Sequence, residues 1–253
     1  MLSKIKEIVL EAGKIVTSAE DIAAATTEKN GAADLVTRYD TAVEQFLKDK
    51  LTALLPEALF YGEESEKTGD PRKGWAFIVD PIDGTTNFVR GLNQSAISVA
   101  LAKDGAVEYA VVLDPFKNEL FSAQRGKGAY SNDAPIHVSD RPLEKGIFGM
   151  GTALYNREFE EKTVSVLSQL WKRSCDFRRM GAAALDLCYV ASGRYDAFFE
   201  FSLAPWDYAA GSLIITEAGG KICTMEGPPL TLERCGIWAS NEVNYHIFSE
   251  LTF

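Results

Sequence analysis

At 253 residues, with hydrophobic residues at 46% and charged ones at 25%, the chain has the balance of an ordinary soluble globular protein, long enough for one large domain or two closely packed lobes. A formal charge of -10 argues against a nucleic-acid backbone or an anionic membrane as the main partner and suits cation ligation as well as a solubilising surface. Four cysteines without a CxxC pair and two distant histidines, His137 and His246, argue against a structural zinc site and for buried reduced thiols.

Leu2, Ile5, Ile8, Val9, Ala12, Ile15, Val16 and Ala19 recur at helical spacing and predict an amphipathic first helix. Lys4, Lys6, Glu7, Glu11 and Lys14 interrupt it, so no signal core is expected there; no stretch reaches a membrane-spanning length, and the expected location is the cytoplasm. Lys29-Asn30-Gly31-Ala32-Ala33-Asp34 reads as a turn-rich loop. The helical period returns over residues 35–55 through Val43, Phe46, Leu47, Leu51 and Leu54, and Pro56 closes the second helix. On spacing alone Asp40, within it, reads as solvated.

Residues 58–61 form a short apolar strand ending in Gly62-Glu63-Glu64-Ser65, and residues 75–79 form a second strand that runs into Asp80-Pro81-Ile82-Asp83-Gly84-Thr85-Thr86-Asn87-Phe88. Carboxylates therefore sit just beyond two successive strand ends, where α/β architectures place their sites. Pro81 holds Asp80 extended, so Asp80 and Asp83 leave a tight bend toward a shared point. Gly84 permits close backbone approach, and Thr85 and Thr86 offer hydroxyls and N–H groups where a helical turn begins, the makings of a cation beside a phosphate. A bare Asp-x-x-Asp is more often an Asx-turn, so this stretch gains its meaning from its partners elsewhere.

Residues 95–102, 107–113 and 119–123 read as strands whose connecting turns predict an antiparallel meander, continued through Gly126-Lys127-Gly128 and Asn132-Asp133. Beyond Pro142 the texture changes to alternation: strand 146–149, helix 157–171, strand 174–177, helix 181–192, strand 196–201, helix 206–218. The expected division is an N-terminal α+β lobe over residues 1–143 and a C-terminal α/β lobe over 144–253. Asp207 begins a helix, where it either caps N–H groups or adds a third carboxylate to the strand-to-helix junctions. Gly181-Ala182-Ala183-Ala184 opens another helix, either with N–H groups facing an anion or polar substrate or with small side chains for tight packing.

The ordered set Gly62-Glu63-Glu64-Ser65, residues 80–88, Pro205-Trp206-Asp207 and Glu217-Ala218-Gly219-Gly220 resembles the inositol monophosphatase family of magnesium-dependent, lithium-sensitive sugar-phosphate phosphatases. The resemblance runs along nearly the whole chain, taking in Ala33-Asp34-Leu35-Val36-Thr37, Asp114-Pro115 and the segment 181–193. It implies a layered αβαβα sandwich, with an antiparallel-sheet N-terminal lobe and an α/β C-terminal lobe, and a homodimer. It also implies two or three Mg²⁺ ions: Glu63, Asp80 and the carbonyl of Ile82 would hold one, and Asp80, Asp83 and Asp207 a second. Thr85, helped by Asp40, would orient or deprotonate the attacking water, while the N–H groups of Gly84 and Thr85 grip the phosphate. Glu200 matches the acidic residue that accepts ring hydroxyls, and Ala183 the backbone position that assists it.

The implied activity is hydrolysis of a small polyol or sugar phosphate, inositol monophosphate foremost. Fructose 1,6-bisphosphate, a nucleotide 3'-phosphate or histidinol phosphate are the rival substrates, and Arg178 and Arg179 are placed to welcome a second phosphate. A protein-interaction role that retains the metal site is the rival from another class. The chain departs from the family at two places, neither a ligand position. Arg90-Gly91-Leu92-Asn93-Gln94 stand where a histidine and then a proline are usual, and Gly149-Met150-Gly151-Thr152 lack the usual aromatic-proline turn; both bear on substrate choice and dimer contacts.

Overall fold

The computed structural model describes residues 1–28 and 35–253. The expected loop at 29–34, with Ala33 and Asp34 of the resemblance, lies outside the described residues. The helices are α1 (Leu2–Thr17), α2 (Arg38–Leu54), α3 (Thr85–Val89), α4 (Glu160–Trp171), α5 (Ala183–Ala191) and α6 (Pro205–Glu217). The strands are β1 (Thr26–Glu28), β2 (Leu35–Thr37), β3 (Leu59–Gly62), β4 (Trp75–Asp83), β5 (Ala96–Lys103), β6 (Ala106–Asp114), β7 (Glu119–Gln124), β8 (Ala129–Ser131), β9 (Ala134–Ile136), β10 (Ile147–Met150), β11 (Asp176–Arg178), β12 (Ala197–Leu203), β13 (Lys221–Thr224) and β14 (Cys235–Ser240).

Strands β3 to β9 form a seven-stranded sheet in sequence order, antiparallel except for the parallel pair β3 and β4. The second sheet has five strands in the order β11-β10-β12-β14-β13, parallel on the β11 side and antiparallel on the β13 side. Period-2 alternation assigns the faces. In β4 and β5, Phe77, Val79, Ile97, Val99 and Leu101 pack with Ile5 and Val9 of α1 and Val43 and Leu47 of α2, whereas Ile78, Ala96, Ala100 and Ala102 join the core that holds α5 and α6. On the second sheet Phe148, Phe199, Phe201 and Trp238 pack against Val166 and Leu170 of α4, and Phe198 and Ile237 face α5 and α6. The layers are therefore α1/α2, sheet, α5/α6, sheet, α4: the expected αβαβα sandwich. The central helices are covered on both sides, which is why α5 is buried throughout and Gly211 of α6 is needed, since a Cβ there would stand 2.7 Å from the Cβ of Leu187.

Three local differences from the sequence reading have physical causes. The second helix begins at Arg38 and not near residue 35, because Thr37 is its N-cap and Leu35–Thr37 pairs with Thr26–Glu28 as a short antiparallel ribbon. Strand β4 does not stop at Val79: it continues to Asp83 with a register irregularity between Asp80 and Asp83. Pro81, lacking an N–H, sits inside that irregularity and past the last residue paired with β3, so no ladder bond is lost. The helix expected at 157–171 opens as a 3₁₀ turn, Arg157–Phe159, before α4.

Candidate active site

Strand β4 delivers Asp80 and Asp83, the end of β3 delivers Glu63, and the first turn of α6 delivers Asp207. Asp80 is 2% exposed and Asp83 8%. Burial, then the charges of Glu63, Asp83 and Asp207, push the Asp80 carboxyl well above the usual carboxylate range. Burial, then Asp83 and Glu63, does the same to Asp207. Asp83 is pushed up to about 7, again chiefly by burial, although N–H groups of Ala183 and Ala184 oppose the shift. Asp80 and Glu63 hydrogen-bond to each other, which two carboxyl groups do only through a shared proton.

The residues around these carboxylates are fixed by local bonds. The Ile82 N–H donates to Asp80 Oδ1 at 3.0 Å, the Ala184 N–H to Asp83 Oδ2 at 2.7 Å and the Ala204 N–H to Asp207 Oδ2 at 2.7 Å. The start of α5 thus spends the Ala184 N–H on the chain's own Asp83, so of the two readings of this helix start the one with N–H groups facing a ligand does not extend to that group. Asp207 does cap its helix, and it also belongs to the acidic group; the two roles expected as alternatives coexist. Gly84 has φ of +84°, and a Cβ on it would stand 2.9 Å from the carbonyl oxygen of Gly181 and 3.1 Å from that of Gln94.

Asp40 corrects the reading from spacing: it is fully buried. Its Oδ2 accepts from the Thr37 N–H at 2.8 Å and the Thr37 hydroxyl at 2.6 Å, and its Oδ1 lies 3.1 Å from Thr85 Oγ1. Thr85 Oγ1 is also 3.1 Å from the carbonyl oxygen of Ile82. Burial, ahead of bonds that oppose it, raises the Asp40 pKa.

A cavity of about 440 Å³ opens beside this group, lined among others by Glu63, Asp83, Thr85, Asp186, Glu200 and Asp207. Ala183 lines it too, as do Gly84 and Arg179. Arg178 does not: it is paired at 2.6 Å with Asp176 on the exposed edge strand β11. Of the two departures from the family pattern, the one at 149–152 borders the cavity through Gly151, where a Cβ would fall 1.8 Å from Glu200 Oε2. The other, at 90–94, is not among the residues lining the cavity: Gln94 is buried against Lys117 and Tyr189, and Leu92 is exposed. A second groove, of about 390 Å³, lies across Trp206 and is lined by Asp70, Arg72, Glu233 and Arg234; Arg72 there already pairs with Asp70 at 2.7 Å.

Sequence reasoning missed Glu44 and Asp186. Glu44 lies one turn beyond Asp40 on α2, is 4% exposed, and accepts the Glu64 N–H at 2.8 Å, steadying the segment that carries Glu63. Its i, i+4 relation to Asp40 was the available signal. Asp186 had no comparable signal beyond being a carboxylate in an otherwise apolar helix.

Among the described residues no three or more His, Cys, Asp or Glu side chains are arranged to hold a metal ion as they stand. What gathers is a set of oxygen donors, and burial and mutual repulsion raise the proton affinity of Asp80, Asp83 and Asp207; oxygen-only donors with surplus negative charge fit a hard divalent cation, which would compete with protons there. A stability prediction follows from the sign of the shifts. Asp83 and Glu200, each raised to about 7, bind protons more tightly when folded than in the unfolded chain, where carboxyl pKa values are about 4. Their contribution to stability is present at low pH and is lost as pH rises through the folded values. Thermal melts of chelator-treated protein should show Tm falling between about pH 4 and 7, with a shallower fall in Asp80→Asn and partial recovery on adding Mg²⁺. A slope identical in wild type and variant would contradict the assignment.

A layered αβαβα sandwich with acidic residues converging from two strand ends and a helix start has the architecture of the sugar-phosphate phosphatase class. The chain belongs to the inositol monophosphatase family, whose model matches residues 1–252. It is 40% identical over 228 residues, 90% of this chain and 87% of the other, to a protein of Neisseria meningitidis serogroup B named putative Nus factor SuhB. It is 38% identical over 244 residues to the inositol-1-monophosphatase of Rhizobium meliloti, covering 96% of this chain and 92% of that one. Among solved structures, extragenic suppressor protein suhB from Bartonella henselae superposes with a TM-score of 0.90 at 34% identity, over 98% of this chain and 96% of that one. Among the described residues no helix is long and apolar enough to cross a membrane.

Proposed function

We propose that the protein is a magnesium-dependent phosphomonoesterase acting on a small polyol phosphate, inositol monophosphate foremost. The observation that carries this reading is the Thr85 hydroxyl, held 3.1 Å from both Asp40 Oδ1 and the Ile82 carbonyl oxygen at the edge of the acidic cavity. Its single proton is committed to one of those acceptors, so a lone pair remains to accept from water. A cation site kept for stability needs no such group.

Glu63, Asp80 and the Ile82 carbonyl would hold one Mg²⁺, and Asp80, Asp83 and Asp207 a second. When bound, magnesium supplies charge that favours a nucleophilic water at neutral pH and offsets the negative charge growing on the leaving oxygen. The chain's own part is positional and protonic. Thr85 orients the water toward phosphorus and takes its proton while passing its own to Asp40, whose buried carboxylate is a stronger base than a solvated one. The phosphate is held near Gly84 and Thr85, where glycine is needed because a Cβ at position 84 would meet the carbonyl oxygens of Gly181 and Gln94. Glu200, on the cavity wall, accepts a hydroxyl of the substrate and repels a second phosphate. Arg179, in the same cavity, is the group that keeps fructose 1,6-bisphosphate as the competing substrate.

The test is phosphate release with Mg²⁺ from inositol 1-phosphate, fructose 1,6-bisphosphate, a nucleotide 3'-phosphate and histidinol phosphate. The highest kcat/KM is expected for the first. Silence on all four would favour the second reading, a protein-interaction role, which the 40% identity to a relative named as a putative Nus factor supports. Millimolar Li⁺ should inhibit phosphate release by occupying a magnesium position, because both departures from the family pattern leave the acidic residues unchanged; activity indifferent to Li⁺ would count against that assignment.

A further inference from the structure

Asp186, in the first turn of α5, is 1% exposed, yet it is among the residues that line the active-site cavity. Its Oδ1 is buried without a hydrogen-bond partner among the described residues. Leaving a buried carboxyl oxygen unpaired is destabilising, so an oxygen of this kind at a cavity wall points to a ligand that supplies the missing partner. Asp83, an expected cation ligand, Glu200, the expected hydroxyl acceptor, and Arg179 line the same cavity and are the charged groups that act on Asp186.

Two elements meet at this wall. On β12 alternate residues take alternate faces: Phe199 and Phe201 turn toward α4, whereas Phe198 turns toward α5. Glu200 shares the second face. It commits Oε1 to the Ala153 N–H at 3.0 Å, and it lines the same cavity as Asp186.

We propose that Asp186 is a specificity residue that pairs with a ring hydroxyl of the substrate next to the one accepted by Glu200, so that the two carboxyl groups together read adjacent hydroxyls on a neutral polyol phosphate. The inference rests on the phosphomonoesterase reading of the site. A hydroxyl both donates and accepts, so it satisfies a carboxyl group in either protonation state, whereas a second phosphate brings only acceptors and like charge to two acidic groups.

The test compares wild type, Asp186→Ala and Asp186→Asn on inositol 1-phosphate and on p-nitrophenyl phosphate, which has no hydroxyls to read. Asp186→Ala should lower kcat/KM for the inositol ester about tenfold relative to the aryl ester, through KM, the scale of one hydrogen bond to a carboxyl group. Asp186→Asn, which keeps a donor and an acceptor, should recover most of that ratio. A ratio that stays constant, whether both substrates fall together or neither moves, overturns the proposal. Tm decides between folding and recognition: removing an unpaired buried carboxyl should not lower it, and a large drop in both variants would make Asp186 structural.

A binding measurement separates this inference from the reading beneath it. Ligand-observed NMR of myo-inositol with inorganic phosphate reads the hydroxyl contact without turnover. A polyol signal present in wild type and lost in Asp186→Ala sustains the contact even if no ester is hydrolysed. No polyol signal from a wild type that hydrolyses the aryl ester leaves the phosphatase reading standing and overturns the role of Asp186; neither signal nor hydrolysis overturns both.

Discussion

Asp80→Asn is expected to lower phosphate release by roughly 10²–10³-fold or more, the scale of removing a charge-stabilising group from a reaction centre, while leaving the metal-free fold at least as stable as wild type. Asp80 is assigned to both cations, so its loss should exceed the loss of a ligand to one, and calorimetry should show impaired Mg²⁺ binding. The asparagine carbonyl still accepts from the Ile82 N–H, now 3.0 Å from Asp80 Oδ1, and its NH₂ can donate to Glu63 where Asp80 needs a proton to do so. Relief of repulsion from Glu63, Asp83 and Asp207 adds to this. Wild-type Mg²⁺ affinity in the variant would remove Asp80 from the metal site, and a strongly lowered Tm in chelator would show that its carboxylate is a stabilising structural group.

Thr85→Ala should reduce kcat by about 10²–10⁴-fold, the range of a general acid–base group, with KM and Mg²⁺ affinity changed far less. Thr85→Ser keeps the hydroxyl and should recover most of the rate. Asp40→Asn probes the same relay from the other end. Its carbonyl oxygen can still accept from Thr37 and hold the start of α2, but its NH₂ then faces Thr85 and donates, reversing the bond to the 3.1 Å partner. An amide also cannot take the proton that Thr85 has to pass on. Folded, metal-binding Asp40→Asn protein with a kcat loss similar to Thr85→Ala is the expected pattern; full activity in either Thr85→Ala or Asp40→Asn would eliminate the relay.

The parts of the fold that were legible from residue patterns are those whose periodicity is local. The apolar run 75–79, the turns of the meander and the strand–helix alternation after Pro142 all appear in the structure within a few residues of the expected positions. Strands β13 and β14 were not anticipated. Their pairing with β12 completes the second sheet, yet they follow the last helix as an antiparallel pair and continue no βα alternation.

At the site, the carboxylates of Glu63, Asp80 and Asp83 were visible because they cluster at the carboxyl ends of apolar runs, although β4 runs on through Asp80 to Asp83 and of the three only Glu63 lies beyond its strand. Asp40 was misread because a helical wheel marks an acidic residue as solvent-facing, whereas two contacts bury it: the N-terminal box with Thr37, spaced as Thr37-x-x-Asp40, and the bond to Thr85, 45 residues away. The first was available in the sequence. The second exists only once α2 lies across the end of β4. Gly151 belongs to the same kind: its meaning comes from Glu200, which would overlap any side chain there, and nothing in the residues around 151 announces that neighbour.

The most direct test of the central claim is phosphate release from inositol 1-phosphate by chelator-treated protein titrated with Mg²⁺. Release should rise from background as Mg²⁺ is added, return to background with excess chelator, and stay at background throughout in Asp80→Asn. Folded wild-type protein that releases no phosphate at any Mg²⁺ concentration, or releases it equally well in chelator, would contradict a magnesium-dependent phosphomonoesterase.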